Sequence, residues 1–537
     1  MYSSIGSQPQ LGERYELAGD SDFMADCSGK VYLVGAGPGD PGLLTLRGRE
    51  LLEQADVVFY DYLANPLLLG YAASAAELVC LGRHGQGRVL SQKEINRRVI
   101  EAASGGKRVV RLKGGDPSIF ARAGEEITAL EAAGISYEVV PGVTAALAAS
   151  GYSGVPLTHR DHASSVAFVT GQLSHDKVGR DRQDSSLDLE SLARFPGTLV
   201  FYMGVTTAPS WSQQLVQYGK SPNTPVAIVR HGTLPEQRTV TTTLGQLPEV
   251  LAPKKMRPPA IIIVGEAVSA QSATSWFTER PLFGQTVVVT RPERQAHVLA
   301  QKLAASGATA RLQPAIEISP VDDWTPVDAA IQRLATYDWL VFSSANGVRY
   351  FLDRLISCGS DLRQLGTCQL AAIGPATAAS LAEYHLRVDL APDQYRAEAL
   401  AERLAPQAGG KRVLLLRASR GREVLAESLV AAGAQVDQVV VYKSVDVTCP
   451  QSDIAQSLAE GQVDWMTVTS SAIARSLVNL FGEDLRKTRL AAISPLTAGV
   501  LIEAGFRPAV VADEFTTDGL LKAVVEHQKQ APPKTPA

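Results

Sequence analysis

Four glycine-rich or charged blocks precede position 161: VYLVGAGPGDPGLLTLRG from Val31 to Gly48, RLKGGDPSIFARAGEE, PGVTAA and GVPLTHR. A glycine-rich turn after an apolar strand lets backbone amides approach a ligand closely. GAGPGD, with Tyr60 and Asp61 some way downstream, superficially matches a dinucleotide fingerprint, but its glycines fall at Gly35, Gly37 and Gly39 instead of the GxGxxG spacing. Pro38 stiffens the loop, and the Asp40 carboxylate repels a pyrophosphate and suits a cationic or uncharged ligand. In the second half the residues able to act on a ligand are hydroxyls in small-residue turns: Ser343, Ser344, Thr377, Ser470, Ser471 and Thr497. As helix caps, these would present amides and hydroxyls to carboxylates. No Cys/His or Ser/His/Asp constellation appears, so covalent catalysis is not indicated. His159 and His162 have no partners at metal-ligand spacing, so no metal is expected.

Short β-branched strands alternate with Ala/Leu-rich helical stretches throughout, which predicts an α/β chain. In the first half strands are expected at Val31–Gly35, Asp56–Tyr60, Arg108–Lys113, Tyr137–Val140, Ser165–Thr170, Thr198–Met203, Thr224–Arg230 and Ala260–Val264. The polar stretch from Gly171 to Ser191 reads as a surface loop near a hinge between two lobes. The rhythm breaks over Ser269–Gln285 and restarts with TVVVTRP. Beyond it the chain repeats itself: DWLVFSSANGVRYF from Asp338 recurs as DWMTVTSSAIARSL from Asp464, and QLAAIGPATAASL from Gln369 as RLAAISPLTAGVL from Arg489. Each copy reads as strand, hydroxyl turn and helix, so two similar lobes are expected to face one another across a cleft. The expected organisation is an extension over 1–29, a two-lobed unit over 30–268, a linker over 269–284, a second two-lobed unit over 285–527 and a tail over 528–537.

With 537 residues, 45% hydrophobic and 20% charged, the chain can form several ordinary globular cores. A net charge of -4 gives no general attraction to nucleic acid or anionic membrane, so local basic clusters must serve any anionic ligand. Five scattered cysteines without a CxxC pair fit a reducing compartment. With neither a signal-peptide pattern nor an apolar run of membrane-spanning length, a cytoplasmic protein is expected.

VGAGPGDPGLLTLRG, RLKGGDPSIFARAGEE, VVPGVTAA, YSGVPLTHR, FYMGV and TPVAIV resemble, in order and spacing, uroporphyrinogen-III C-methyltransferases of the tetrapyrrole methylase family. The resemblance spans roughly residues 30 to 268. It implies S-adenosylmethionine held between two α/β lobes at Pro38, Gly114, Gly115, Asp116, Thr144, Ala145, Met203, Ala227 and Ala260. It also implies an acceptor with eight carboxylates, for which Arg83, His84, Arg88, Arg111, Lys113, Arg122, His159, Arg160 and His162 offer a basic wall. Arg122 and Glu125, three apart on the helix after GGDP, match the family's catalytic pair, with Arg160 and Met203 orienting substrate; an ordinary surface ion pair is the structural alternative. The chain departs from the family pattern at Ala121, where glycine usually precedes the arginine, and at Gln172, where histidine is common. The resemblance further implies a homodimer through this half.

From Gln285 to about His527, VVVTRP, DWLVFSSANGV, LAAIGPATA, RVLLLRA, VVVYKS, VTSSA and TTDGLL resemble uroporphyrinogen-III synthase, which implies a cofactor-free cyclisation of hydroxymethylbilane. Tyr442 matches that family's recurrent tyrosine, able to protonate a departing hydroxyl or to pack at the lobe junction. Ser494 stands where the family usually has glycine. The expected function is bifunctional: ring closure with ring D inversion, then two methyl transfers giving precorrin-2. The alternative is an active methyltransferase with a non-catalytic tetrapyrrole-binding C-terminal module.

Overall fold

The computed structural model describes residues 29–73, 75–82, 90–172, 187–251, 256–421 and 423–530. Nearly all of the expected N-terminal extension, most of the polar stretch after Gly171, most of the tail, and Arg83, His84 and Arg88 lie outside the described residues. The chain divides into two compact units, Met1–Ala145 and Ala146–Ala537, so the division falls inside the segment expected to form the first two-lobed unit.

The first unit is one parallel sheet of β1 (Lys30–Gly35), β2 (Val57–Tyr60), β3 (Glu77–Cys80), β4 (Arg108–Lys113) and β5 (Ser136–Val140), in the order β3-β2-β4-β1-β5. Side chains alternate across a strand. Val31 and Leu33 of β1 accordingly enter a core with Val99 and Leu130, while Val34 enters another with Leu52 and Leu68. Both faces are covered, as parallel sheets require. β3 was not expected; it is a mostly exposed edge strand with no apolar alternation to betray it.

In the second unit the first sheet holds β6 (Val166–Thr170), β7 (Thr198–Tyr202), β8 (Pro225–Arg230), β9 (Arg238–Thr243) and β10 (Ala260–Val264), in the order β6-β7-β10-β8-β9. It is mixed: β10 runs antiparallel to β7 and β8, and β9 antiparallel to β8. β9, RTVTTT, is a polar edge strand that was likewise missed.

The expected linker is ordered. Trp276 Nε1 donates to Gly151 O at 3.0 Å, Ser275 Oγ to Tyr152 O at 2.6 Å, Gln271 Nε2 to Ser153 O at 3.3 Å and Ser272 N to Gly154 O at 3.0 Å. These donors meet carbonyls left open at and just beyond the end of the Ala145–Ser153 helix. Phe277 is 1% exposed; its ring lies 4.8 Å from Tyr152 and 5.4 Å from Phe283, and the Arg280 guanidinium covers both Trp276 and Phe277. On the far side Leu282 N donates to Ser306 O at 2.9 Å. The segment is a strap, because its aromatic side chains have a core to enter.

The remaining strands are β11 (Thr286–Val289), β12 (Thr309–Leu312), β13 (Ile316–Pro320), β14 (Trp339–Phe342), β15 (Gln369–Ala372), β16 (Arg412–Ala418), β17 (Gln435–Asp446), β18 (Trp465–Val468), β19 (Arg489–Ala492) and β20 (Val510–Val511). They form two sheets, β12-β11-β18-β19-β20 and β13-β17-β16-β14-β15. The sequence repeat maps onto β14, helix and β15 in one sheet and β18, helix and β19 in the other. The correspondence extends to single atoms. Asp338 Oδ2 accepts from Arg412 N and Asp464 Oδ2 from Thr286 N, each at 2.8 Å, while Trp339 and Trp465 are both buried behind them.

Replacing Phe277 by Ala should remove the strap's central contact at a cost of about 3–5 kcal/mol. Calorimetry of the full chain should show its first unfolding transition moved to lower temperature; an unchanged thermogram would contradict the packed strap.

Candidate functional site

Strands β1 and β4 are adjacent and parallel, so the loops after them emerge side by side. Gly115 N donates to Gly37 O at 2.7 Å and Gly37 N to Gly115 O at 3.2 Å, stitching the two loops on either side of Pro38 and Gly114. A Cβ on Gly142 would lie 2.3 Å from Gly115 O, so only glycine permits this approach of three loops. A Cβ on Gly115 would meet nothing nearer than Ala145 N at 3.9 Å, and its φ of +72 also favours glycine: bare backbone faces open space there. Asp116 braces the cradle: Oδ1 accepts from Ser118 N at 2.7 Å and Oδ2 from Gly142 N at 2.9 Å. Thr144, buried, and Ala145 follow at the start of the Ala145–Ser153 helix. The six expected cofactor residues of this unit therefore converge on one edge of the sheet.

Arg122 is not within the helix but at its N-cap, with φ of 60 in the left-handed region, two residues after Phe120 at φ 54. Strained φ at non-glycine residues persists only where surroundings enforce it, and it concentrates at functional sites. Arg122 Nε and Nη2 each donate to Glu125 at 2.7 Å, a two-pronged pair with both side chains about half exposed. The guanidinium holds the Glu125 carboxyl below its usual range. One residue further, Glu126 is buried and binds Lys113 Nζ at 2.8 Å and Arg111 Nε at 3.2 Å, while Arg111 Nη2 reaches Asp61 at 2.6 Å. This corrects the expectation for Arg111 and Lys113: instead of forming an open basic wall they are buried with acidic partners, because both side chains lie under the sheet. Burial lowers the pKa of Lys113.

In the second unit Met203 follows β7, with φ of 50 and 50% exposure, and Trp211 Nε1 fixes the next turn by donating to Gly204 O at 3.0 Å. Ala227 is fully buried within β8 and Ala260 opens β10. His231 and Thr233, just past β8, also have positive φ and were not anticipated from sequence. Arg160 is exposed in the short loop closed by the His159–Ala163 bridge, and the His159 and His162 rings lie 4.7 Å apart. Among the described residues no group of three or more His, Cys, Asp or Glu is arranged to hold a metal.

In the C-terminal half Ser344 and Ser470 cap their helices as expected, Ser494 is a third cap that was not expected, and the other four expected hydroxyls do not cap. Ser344 accepts from Gly347 N at 3.0 Å, Ser470 from Ile473 N at 3.2 Å and Ser494 from Thr497 N at 3.3 Å. Ser343 instead donates to Leu416 O, Ser471 is the first residue of its helix, and Thr377 and Thr497 are buried inside theirs. A cap must precede the helix with extended backbone, and only the first set satisfies this. Ser494 occupies the repeat position held in the other copy by Gly374, where no side chain caps the helix. Tyr442, 7% exposed, sits on β17 with its hydroxyl 3.0 Å from Ser344 Oγ and its ring stacked on Tyr350; burial raises its pKa.

Two family models match the chain: tetrapyrrole (corrin/porphyrin) methylases over residues 30–248 and uroporphyrinogen-III synthase HemD over 297–522. The porphyrin biosynthesis protein HemD of Ruminiclostridium josui is 34% identical over 93% of this chain and 98% of its own length. This chain belongs to that family, a tetrapyrrole methylase joined to a uroporphyrinogen-III synthase. It is a bifunctional enzyme of tetrapyrrole biosynthesis. The uroporphyrinogen-III C-methyltransferase of Bacillus subtilis is 43% identical over 64% of this chain and 69% of its own. The uroporphyrin-III C-methyl transferase of Thermus thermophilus, solved with S-adenyl homocysteine, is 41% identical over 45% of this chain and 99% of its own, with a TM-score of 0.38. The glycine cradle, Arg122 and Glu125 fall in the methylase segment, and Tyr442 with the three serine caps in the synthase segment. No helix among the described residues is long and apolar enough to cross a membrane.

Glu126→Gln removes the carboxylate shared by Arg111 and Lys113 and should destabilise the methylase segment by about 3–5 kcal/mol. Glu125→Gln, in a half-exposed pair, should cost less than about 1 kcal/mol. Denaturant unfolding of the two variants distinguishes them, and equal effects would contradict the buried network.

Proposed function

We propose that the C-terminal half cyclises hydroxymethylbilane to uroporphyrinogen III with inversion of ring D, and that the N-terminal half transfers two methyl groups from S-adenosylmethionine to that product, giving precorrin-2. The observation that carries this reading is that one chain contains both family segments; uroporphyrinogen III is the product proposed for one and the substrate proposed for the other. The proposed boundaries are 30–268 and 285–527, with the strap between them.

The cradle fits the donor molecule on physical grounds. Its walls are bare backbone, and its carboxylate, Asp116, suits a positive sulfonium better than a phosphate. When bound, S-adenosylmethionine supplies an electrophilic methyl group. The chain's own task is alignment, which dominates catalysis when the acceptor carbon is already electron-rich. Arg122 and Arg160 are assigned to substrate carboxylates, and Met203 to orienting the macrocycle. Glu125, kept ionised beside Arg122, receives the surplus ring proton; arginine, with its very high pKa, serves as clamp and not as base. A homodimer through this half is part of the proposal.

For ring closure, Tyr442 is protonated at neutral pH, as a phenol ordinarily is, and burial disfavours its phenolate further. It donates a proton to the departing hydroxyl, water leaves, and the electrophile so formed is attacked by ring D at its substituted carbon. The turns at Ser344, Ser470, Ser494 and Gly374 offer amides and hydroxyls for the substrate's carboxylates. No cofactor is assigned to this half.

Given hydroxymethylbilane alone, the protein should form uroporphyrinogen isomer III, and with S-adenosylmethionine the product should gain two methyl groups by mass. Formation of isomer I only would favour the reading of the second half as a binding module. Arg160→Ala should abolish methyl uptake while leaving ring closure intact. Tyr442→Phe should slow formation of isomer III by about 10²-fold or more, with methylation of supplied uroporphyrinogen III unaffected.

A further inference from the structure

Both sheets of the C-terminal half have a point where successive connections leave in opposite directions. It lies between β11 and β18 in one sheet and between β14 and β16 in the other. Parallel sheets bind ligands outside the carboxyl ends of the strands at such points. The second residue past each of these four strands is polar: Arg291 after β11, Ser470 after β18, Ser344 after β14 and Arg420 after β16.

A side-chain bond joins the two points. Gln295 Nε2, on the Glu293–Ala305 helix after β11, donates to Asn346 Oδ1, on the Ala345–Ser357 helix after β14, at 2.8 Å. Guanidinium groups converge on this bridge: Arg291 Nη2 donates to Gln295 Oε1 at 3.0 Å and Arg349 Nη2 to Asn346 Oδ1 at 3.5 Å. Other arginines of this half are neutralised by carboxylates, as Arg311 is by Asp453, Arg354 by Asp328 and Arg412 by Asp437, whereas these two meet side-chain amides at the bridge. Among the described residues Arg291 and Arg349 have no carboxylate within ion-pairing distance, and burial alone acts on Arg291, lowering its pKa. A partly buried cation without a counterion is unfavourable unless an anion is supplied. Ser344, which caps the helix that carries Asn346, lies with its hydroxyl 3.0 Å from that of Tyr442, so the bridge and the proposed acid meet at the same helix end.

We propose that Arg291 and Arg349 form a carboxylate clamp at the lobe junction, gripping acid side chains of the linear polycarboxylate substrate and thereby orienting the chain beside Tyr442. This rests on the reading of the C-terminal half as a synthase. Paired guanidiniums suit it because each presents a planar fork of donors to a carboxylate. Gln295 and Asn346 act as positioning residues that hold the forks.

The test uses the full-length protein and initial rates of isomer III formation from hydroxymethylbilane. Arg291→Gln should raise KM about ten- to a hundredfold, the loss of one charge-assisted contact, with kcat far less affected. Arg291→Lys should fall between, keeping charge without the fork. Thermal unfolding and methylation of supplied uroporphyrinogen III should not change. An unchanged KM, or a lowered melting temperature with kcat and KM disturbed alike, would make Arg291 a tether between lobes and overturn the clamp. If Arg291→Gln does not fold, Arg349→Gln carries the same comparison, with the same outcomes. Failure of the synthase reading itself is seen separately, as absence of isomer III from the unsubstituted protein.

Discussion

Parallel strands must end on the same edge of their sheet, and this constraint organises the chemistry of the whole chain. In the first unit it sets the loops after β1 and β4 side by side, where glycines let them touch backbone to backbone. In the C-terminal half it brings Arg291, Ser470, Ser344 and Arg420 to equivalent places, two residues past strands that would otherwise share little in sequence. Most of the site residues thus lie where strands stop, while the central strands are mainly apolar and buried.

Charge is handled in contrasting ways in the two halves. Under the first sheet, Asp61, Arg111, Lys113 and Glu126 neutralise one another, and the cost of burying them is offset by hydrogen bonds among themselves and to Gln92 and the Leu112 carbonyl. The network ties the base of the glycine cradle, through Lys113, to the first turn of the helix that bears Glu125. At the lobe junction of the second half, cations are held by amides instead of carboxylates, so their charge stays available. The same residue type is structural in one place and open to a ligand in the other, according to its neighbours.

The strap over 269–284 shows how aromatic residues alter the meaning of a break in pattern. Its sequence lacks periodicity and so reads as a linker, yet Phe277, Trp276 and Arg280 stack into one cluster that also meets open helix carbonyls. Periodicity reports regular elements; it is silent about irregular backbone that has a core to bury itself in.

Of the eight strands expected in the first half, all are present within a residue or so at each end, because strands covered on both faces are near-continuous apolar runs. The exposed edges β3 and β9 left no such trace. The duplication, the α/β class and the clustering of Gly114, Gly115 and Asp116 were likewise legible, since each depends on local pattern or chain order. The sequence by itself thus determined the elements, their repetition and the family. Only the tertiary structure decided that Arg111 and Lys113 turn inward to Glu126, that Ser494 and not Thr497 caps its helix, and that Arg291 meets the bridge from Gln295 to Asn346. Those outcomes depend on which way a side chain points and what lies within a few ångströms of it, and residues distant in the chain supply both.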